Sequence, residues 1–143
     1  MARPPDTTDE AYADANLFIA FLAGREHPLH ARAVEILTRM DRGGLRLIVS
    51  AVVVAEIIWS ARGALGRSRS DMAGILLDVL ESDGFEVLEG PVLRRALALL
   101  VAHPRRDLAD AYLAARVLTL GPPGIASLDH DLDAMPGLMR LEA

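Results

Sequence analysis

The chain alternates short apolar runs with longer helical stretches along almost its whole length. "LRLIV" (45–49), "FEVLE" (85–89) and "IAS" (125–127) have the length and residue types of buried strands. Tyr12 to Asp14 and "GLMRL" (137–141) are further short candidates. Between them, "PLHARAVEILTRM" carries Leu29, Ala33, Ile36, Leu37 and Met40 near helical spacing, and Gly43-Gly44 stops that helix. Asn16 to Leu22 starts another. Ser50 is placed to cap a helix over 51–61, "DMAGILLDVLES" is helical up to Asp83-Gly84, Gly90-Pro91 opens a helix, and one more begins near Asp107. Such alternation predicts an α/β fold: a three-layer arrangement with a mostly parallel central sheet flanked by helices. In these folds ligands sit at the carboxyl ends of the strands.

A length of 143 residues suits one domain with a real core. "MARPPDTTDE" (1–10) reads as a flexible leader, and 11–143 as the single folded domain. The sequence shows no internal repeat. The longest apolar stretch, "LIVSAVVVAEIIW", contains Ser50 and Glu56 and is too short for a bilayer core. The first ten residues lack the basic start and apolar run of a signal peptide, so a cytoplasmic location is expected.

Missing residue types narrow the chemistry. There is no cysteine, which excludes disulfides, thiolate nucleophiles and cysteine zinc sites. All 15 basic residues are arginine, so the P-loop lysine and Schiff-base chemistry are excluded as well. The four histidines form no HExxH pattern and are expected at the surface, and no GxSxG is present. The formal net charge of −5 is not that of an obvious nucleic-acid binder.

The acids are better placed than the charge total suggests. Asp14 ends the first strand candidate, and Asp129 follows "IAS". Glu56 lies one and a half turns into the helix after "LRLIV", and Asp110 lies in the first turn of the helix beginning near Asp107. Parallel strands point these helix starts to one edge, where four carboxylates can converge. Each also has a structural reading. Asp14 is a natural helix cap, Glu56 a buried carboxylate neutralised by an arginine, Asp107 and Asp110 an N-cap and N3 pair, and Asp129 a turn residue. The series Asp129, Asp131, Asp133 is not a calcium loop. Its sixth position is Ala134 where glycine is needed, and its twelfth is Arg140 where glutamate is needed.

Taken together, "YADANLFIAFL", "SAVVVAEIIW", "RRDLADAYLAARV" and "SLDHDLD" resemble the four acidic motifs of PIN-domain ribonucleases. Their order and spacing over essentially the whole chain after residue 10 are similar to VapC-type toxins of toxin–antitoxin pairs. The resemblance implies that Asp14, Glu56, Asp110 and Asp129 are catalytic, metal-binding acids for Mg²⁺ or Mn²⁺. It makes Asn16 and Ser127 their polar companions, with Asp131 in a supporting place. It implies hydrolysis of RNA to 5′-phosphate and 3′-hydroxyl ends, a homodimer and a VapB-like antitoxin partner. Two departures stand out: Ala15 replaces the usual Thr or Ser after the first Asp, and the leader is longer than the family's usual start.

Four neighbouring carboxylates stay ionised together only when cations compensate, which also accounts for part of the acidic charge. Oxygen-only donors suit Mg²⁺ or Mn²⁺. RNA backbone contacts are assigned to Arg62, Arg67 and Arg69, and to Arg105 and Arg106. Few surface-type charges on the helices around 51–61 and 70–80 point to an exposed apolar groove there, suited to an amphipathic antitoxin helix. A haloacid-dehalogenase-type phosphatase is excluded by Asn16, which breaks DxD, and by the absent lysine; a receiver domain fails on the same lysine. The alternative is a PIN-like domain without catalysis that serves as a protein- or RNA-binding module.

Overall fold

The computed structural model describes residues 8–135 and 137–142. Strand β1 (Asp9–Tyr12) leads through helices α1 (Ala15–Ala23) and α2 (His30–Asp41) to β2 (Leu45–Val49). Helices α3 (Ala51–Leu65) and α4 (Arg69–Val79) follow, then β3 (Phe85–Val87), α5 (Gly90–Ala102) and α6 (Leu108–Leu120). The chain closes with β4 (Gly124–Ala126), a 3-10 turn over His130–Ala134, and β5 (Met139–Leu141). Strands β1, β2 and β3 form one parallel sheet in that order, and β4 pairs in parallel with β5. The architecture is the expected α/β one, with a parallel sheet joined by helices. Among the described residues, no helix is long and apolar enough to cross a membrane.

Strand β1 begins earlier than its residue types suggest. Asp9 and Glu10, which the sequence assigns to a leader, pair with Leu45 and Arg46 of β2. Thr8 Oγ1 donates to the Gly43 carbonyl at 2.9 Å. A polar, mostly exposed edge strand carries no apolar signature, and its backbone pairing with β2 is what makes it a strand. The rest of the 1–10 stretch, residues 1–7, lies outside the described residues.

Local signals set most helix ends. Ser50 Oγ accepts from the Val53 amide at 3.3 Å and starts α3. The helix runs four residues past the expected Ala61 because Gly63 is tolerated inside it, and Gly66, with φ +63, ends it in the left-handed conformation. Replacing Ser50 with Ala should cost about 1 kcal/mol, measurable by urea denaturation; no loss would mean that water satisfies the orphan amide equally well. The start of α5 is less usual. Glu89 holds φ +53, a conformation that costs a non-glycine residue roughly 1–2 kcal/mol. Its carboxylate accepts from the Tyr112 hydroxyl at 2.8 Å and pairs with Arg116, which ties α5 to α6.

One core gathers these helices on the three-stranded sheet. Phe18, Val49, Ile57, Ile58, Met72, Leu76, Leu93, Leu97 and Leu100 are among its buried members. Ile125, Leu132 and Met135 near the C-terminus are also buried but lie outside that cluster.

Candidate active site

Because Tyr12 lies opposite Ile48 in parallel strands, the chain leaves β1 and β2 at the same edge. Asp14 and Ser50 cap the helices that start there. The Asp14 carboxylate accepts from the Ala15 amide at 2.8 Å through Oδ1, so its structural role is real, and among the described residues its second oxygen has no hydrogen-bond partner. Both Asp14 and Asn16 are exposed.

Glu56 is exposed on α3 and, among the described residues, enters no ion pair. It is therefore not the core carboxylate neutralised by arginine that its apolar surroundings in sequence also allow. A cleft of about 240 Å³ separates α3 from α6, lined by Ala51, Val52, Ala55 and Trp59 on one side and by Leu108, Ala109 and Tyr112 on the other. Glu56 lies on α3 and Asp110 on α6, the two helices that flank this cleft, but neither side chain lines it.

At the head of α6, Asp107 does the capping. Its Oδ1 accepts from the Asp110 amide at 3.1 Å. The Asp110 side chain is half-buried and, among the described residues, accepts no hydrogen bond, so both of its oxygens are uncommitted. Burial pushes the Asp110 carboxyl above its ordinary pKa, and the negative charges of Asp107, Asp129 and Asp131 push it further, against the opposing pull of Arg106.

Asp129 follows β4 in a tightly bonded loop. Ser127 Oγ accepts from the Asp129 amide at 3.0 Å, and Asp129 Oδ1 accepts from the Asp131 amide at 2.9 Å. Among the described residues, Oδ2 of Asp129 accepts no hydrogen bond. Asp133 is tied to β5: the Arg140 guanidinium hydrogen-bonds to it and holds its carboxyl below the usual range.

The fold thus brings Asp110, Asp129 and Asp131 within electrostatic reach of one another and places Asp14 beside the start of α3. Among the described residues, no three His, Cys, Asp or Glu side chains form a preformed metal cage. That does not conflict with the donor set. Mg²⁺ commonly binds through one or two carboxylates, several waters and the substrate's phosphates. The oxygen-only side chains and the mutual repulsion around Asp110 fit such a cation.

Among the arginines expected to contact RNA, Arg62, Arg67 and Arg105 are exposed and Arg69 half-buried, and none of the four is ion-paired among the described residues. Arg106 is engaged differently. Its side chain is only 18% exposed, its Nη2 donates to the Asp131 carbonyl at 2.5 Å, and it faces the Asp131 carboxylate at 3.9 Å. The apolar groove also differs in place from the expected one. It lies between α3 and α6, with Val52 and Trp59 exposed, while α4 turns Met72, Ala73 and Leu76 into the core. The ties from Arg106 and Arg140 escaped the sequence reading, because an arginine on a loop or short strand carries no local sign of its partner.

No curated protein and no solved structure matches the chain. A protein-family profile described as PIN domain matches residues 11–138. PIN domains are generally nucleases that bind RNA, and they typically use divalent metal ions. The match runs from β1 to the residue before β5 and takes in all four acids, so the chain belongs to the PIN domain family.

Proposed function

We propose that the chain is a Mg²⁺- or Mn²⁺-dependent endoribonuclease and the toxin of a VapBC-type toxin–antitoxin pair, acting in the cytoplasm. The observation that supports catalysis most directly is the crowding of Asp110 by Asp129 and Asp131 at the head of α6. Asp14, Glu56, Asp110 and Asp129 are the proposed ligands. A bound divalent ion would supply polarisation of the scissile phosphate and a water of lowered pKa. The chain's own part is positioning. Among the described residues, Asp110 has no hydrogen bond on either oxygen, while Asp129 and Asp14 each keep one oxygen on a backbone amide and leave the other open. Ser127 holds the Asp129 amide, and Asn16 stands exposed two residues after Asp14. Exposed Arg62, Arg67 and Arg105, with Arg69, are the proposed backbone contacts for RNA.

The partner reading rests on the cleft. Trp59 is 63% and Val52 67% exposed at its mouth, which is a large apolar display for a surface helix. An amphipathic antitoxin segment and a second copy of the chain are the proposed occupants of such apolar surface.

A second reading, a PIN domain without catalysis that binds protein or RNA, draws support from the lack of a preformed three-carboxylate group among the described residues. Incubating the full chain with end-labelled single-stranded RNA decides between them. The nuclease reading expects cleavage with Mg²⁺, none with a chelator and none by Asp129→Asn. RNA bound but uncut by the wild-type chain under every metal condition would leave only the second reading.

A further inference from the structure

The loop that carries Asp129 has little support from the main core. Ile125, Leu132 and Met135, which surround it in sequence, are buried outside the cluster that joins the helices to the sheet. What crosses the loop instead is one side chain from β5. Arg140 is 10% exposed. Its Nε donates to Asp133 Oδ1 at 2.9 Å and its Nη1 to the Ser127 carbonyl at 3.0 Å. Nη1 also reaches Glu142 at 2.5 Å, and Nη2 lies 2.6 Å from His130 Nδ1. Ser127 and Asp133 bracket Asp129 on its two sides, so a single guanidinium holds both ends of the segment.

We propose that Arg140 is a positioning residue of the nuclease site, fixing the 127–133 loop so that Asp129 is presented toward Asp110. The proposal rests on the nuclease reading above and names a residue which that reading does not use. Planarity is the reason for an arginine. A guanidinium directs several N–H groups in one plane, so it can serve a backbone carbonyl and a carboxylate together; an ammonium is a point charge without that fork. Arg106 also grips this loop, through the Asp131 carbonyl, so two arginines hold it. Among the described residues, Arg140 hydrogen-bonds to neither Asp110 nor Asp129, so its influence passes through the loop.

Side chains that orient metal ligands from outside typically change metal affinity or activity by roughly 10–100-fold when removed. The test compares full-length wild type, Arg140→Gln, Arg140→Lys and Asp133→Asn. Mn²⁺ binding is read by the electron paramagnetic resonance signal of the free ion. Steady-state cleavage of a labelled RNA with Mg²⁺ is measured in parallel, and folding is checked by circular dichroism. The expectation is weaker Mn²⁺ binding and lower kcat in Arg140→Gln, by about 10-fold or more, with KM for RNA nearly unchanged. Arg140→Lys should resemble Arg140→Gln, because charge without the fork does not restore the geometry. Asp133→Asn should show a smaller change in the same direction, and it carries the test if Arg140→Gln does not fold. Wild-type Mn²⁺ affinity in a folded Arg140→Gln, or in Asp133→Asn where Arg140→Gln does not fold, overturns the proposal. So does full rescue by Arg140→Lys, which would leave only a role for charge. If the wild-type chain itself neither binds Mn²⁺ nor cleaves RNA, the nuclease reading fails first and takes this proposal with it.

Discussion

Asp110→Asn is expected to abolish most metal-dependent RNA cleavage while leaving the metal-free protein at least as stable as wild type. The loss of activity should exceed the roughly 10–100-fold typical of outer-sphere partners, because a proposed ligand itself is removed. The stability effect follows from linkage. Burial, Asp107, Asp129 and Asp131 raise the folded-state pKa of Asp110 above that of an ordinary aspartate. Stability linked to its proton is complete below the unfolded pKa and is lost as pH rises through the raised folded value. At neutral pH the ionised carboxylate therefore works against folding, and asparagine removes that penalty. Without metal, the variant should melt at or above the wild-type temperature near pH 7, and the difference should vanish as pH falls below the unfolded value. The rise in melting temperature on adding Mg²⁺ should shrink, since ligand stabilisation follows affinity. Melting curves across pH, with and without Mg²⁺, check all three effects. A variant that is less stable at neutral pH without metal, yet cleaves RNA at the wild-type rate, would return Asp110 to a structural role.

The largest stability effect is expected at Phe18. It is buried on α1, one turn beyond Asp14, and its ring stacks on Phe85 with centroids 5.6 Å apart. Phe18→Ala removes that contact and opens a cavity between α1 and the sheet. A buried Phe→Ala change costs about 3–5 kcal/mol. For a chain of this length, that lowers the melting temperature by on the order of 10 °C. Urea denaturation measures the first figure and thermal melting the second. A cost below about 1 kcal/mol would mean that the neighbouring side chains close over the gap.

Some of this molecule can be read along the chain because local chemistry decides it. Strand β2 has its expected bounds: a five-residue apolar run lies between a Gly43-Gly44 stop and the Ser50 cap. Capping by Ser50 and Asp107 is equally local, since a short polar side chain reaches amides one to three residues ahead. Strand β1 starts three residues before its expected place because "DEAY" has no apolar pattern, and its register comes from β2, more than thirty residues away. The C-terminus of α3 ran past its expected end because a glycine inside a helix weakens it without stopping it.

The acids divide in the same way. Residue order alone determined which carboxylates stand at helix starts, because strand ends and caps are written in consecutive residues. It also determined the missing chemistry, since a chain without lysine or cysteine cannot form their sites anywhere. Only the tertiary structure decided that Asp129 and Asp131, from the loop after β4, come within electrostatic reach of Asp110. It alone placed Arg106 and Arg140 around the Asp129 loop and turned α4 inward, leaving the apolar cleft to α3 and α6. The physical reason is range. Caps and periodicity act over a few residues of chain, whereas charge and hydrogen bonding act through space between segments whose distance in sequence carries no information about their distance in the fold.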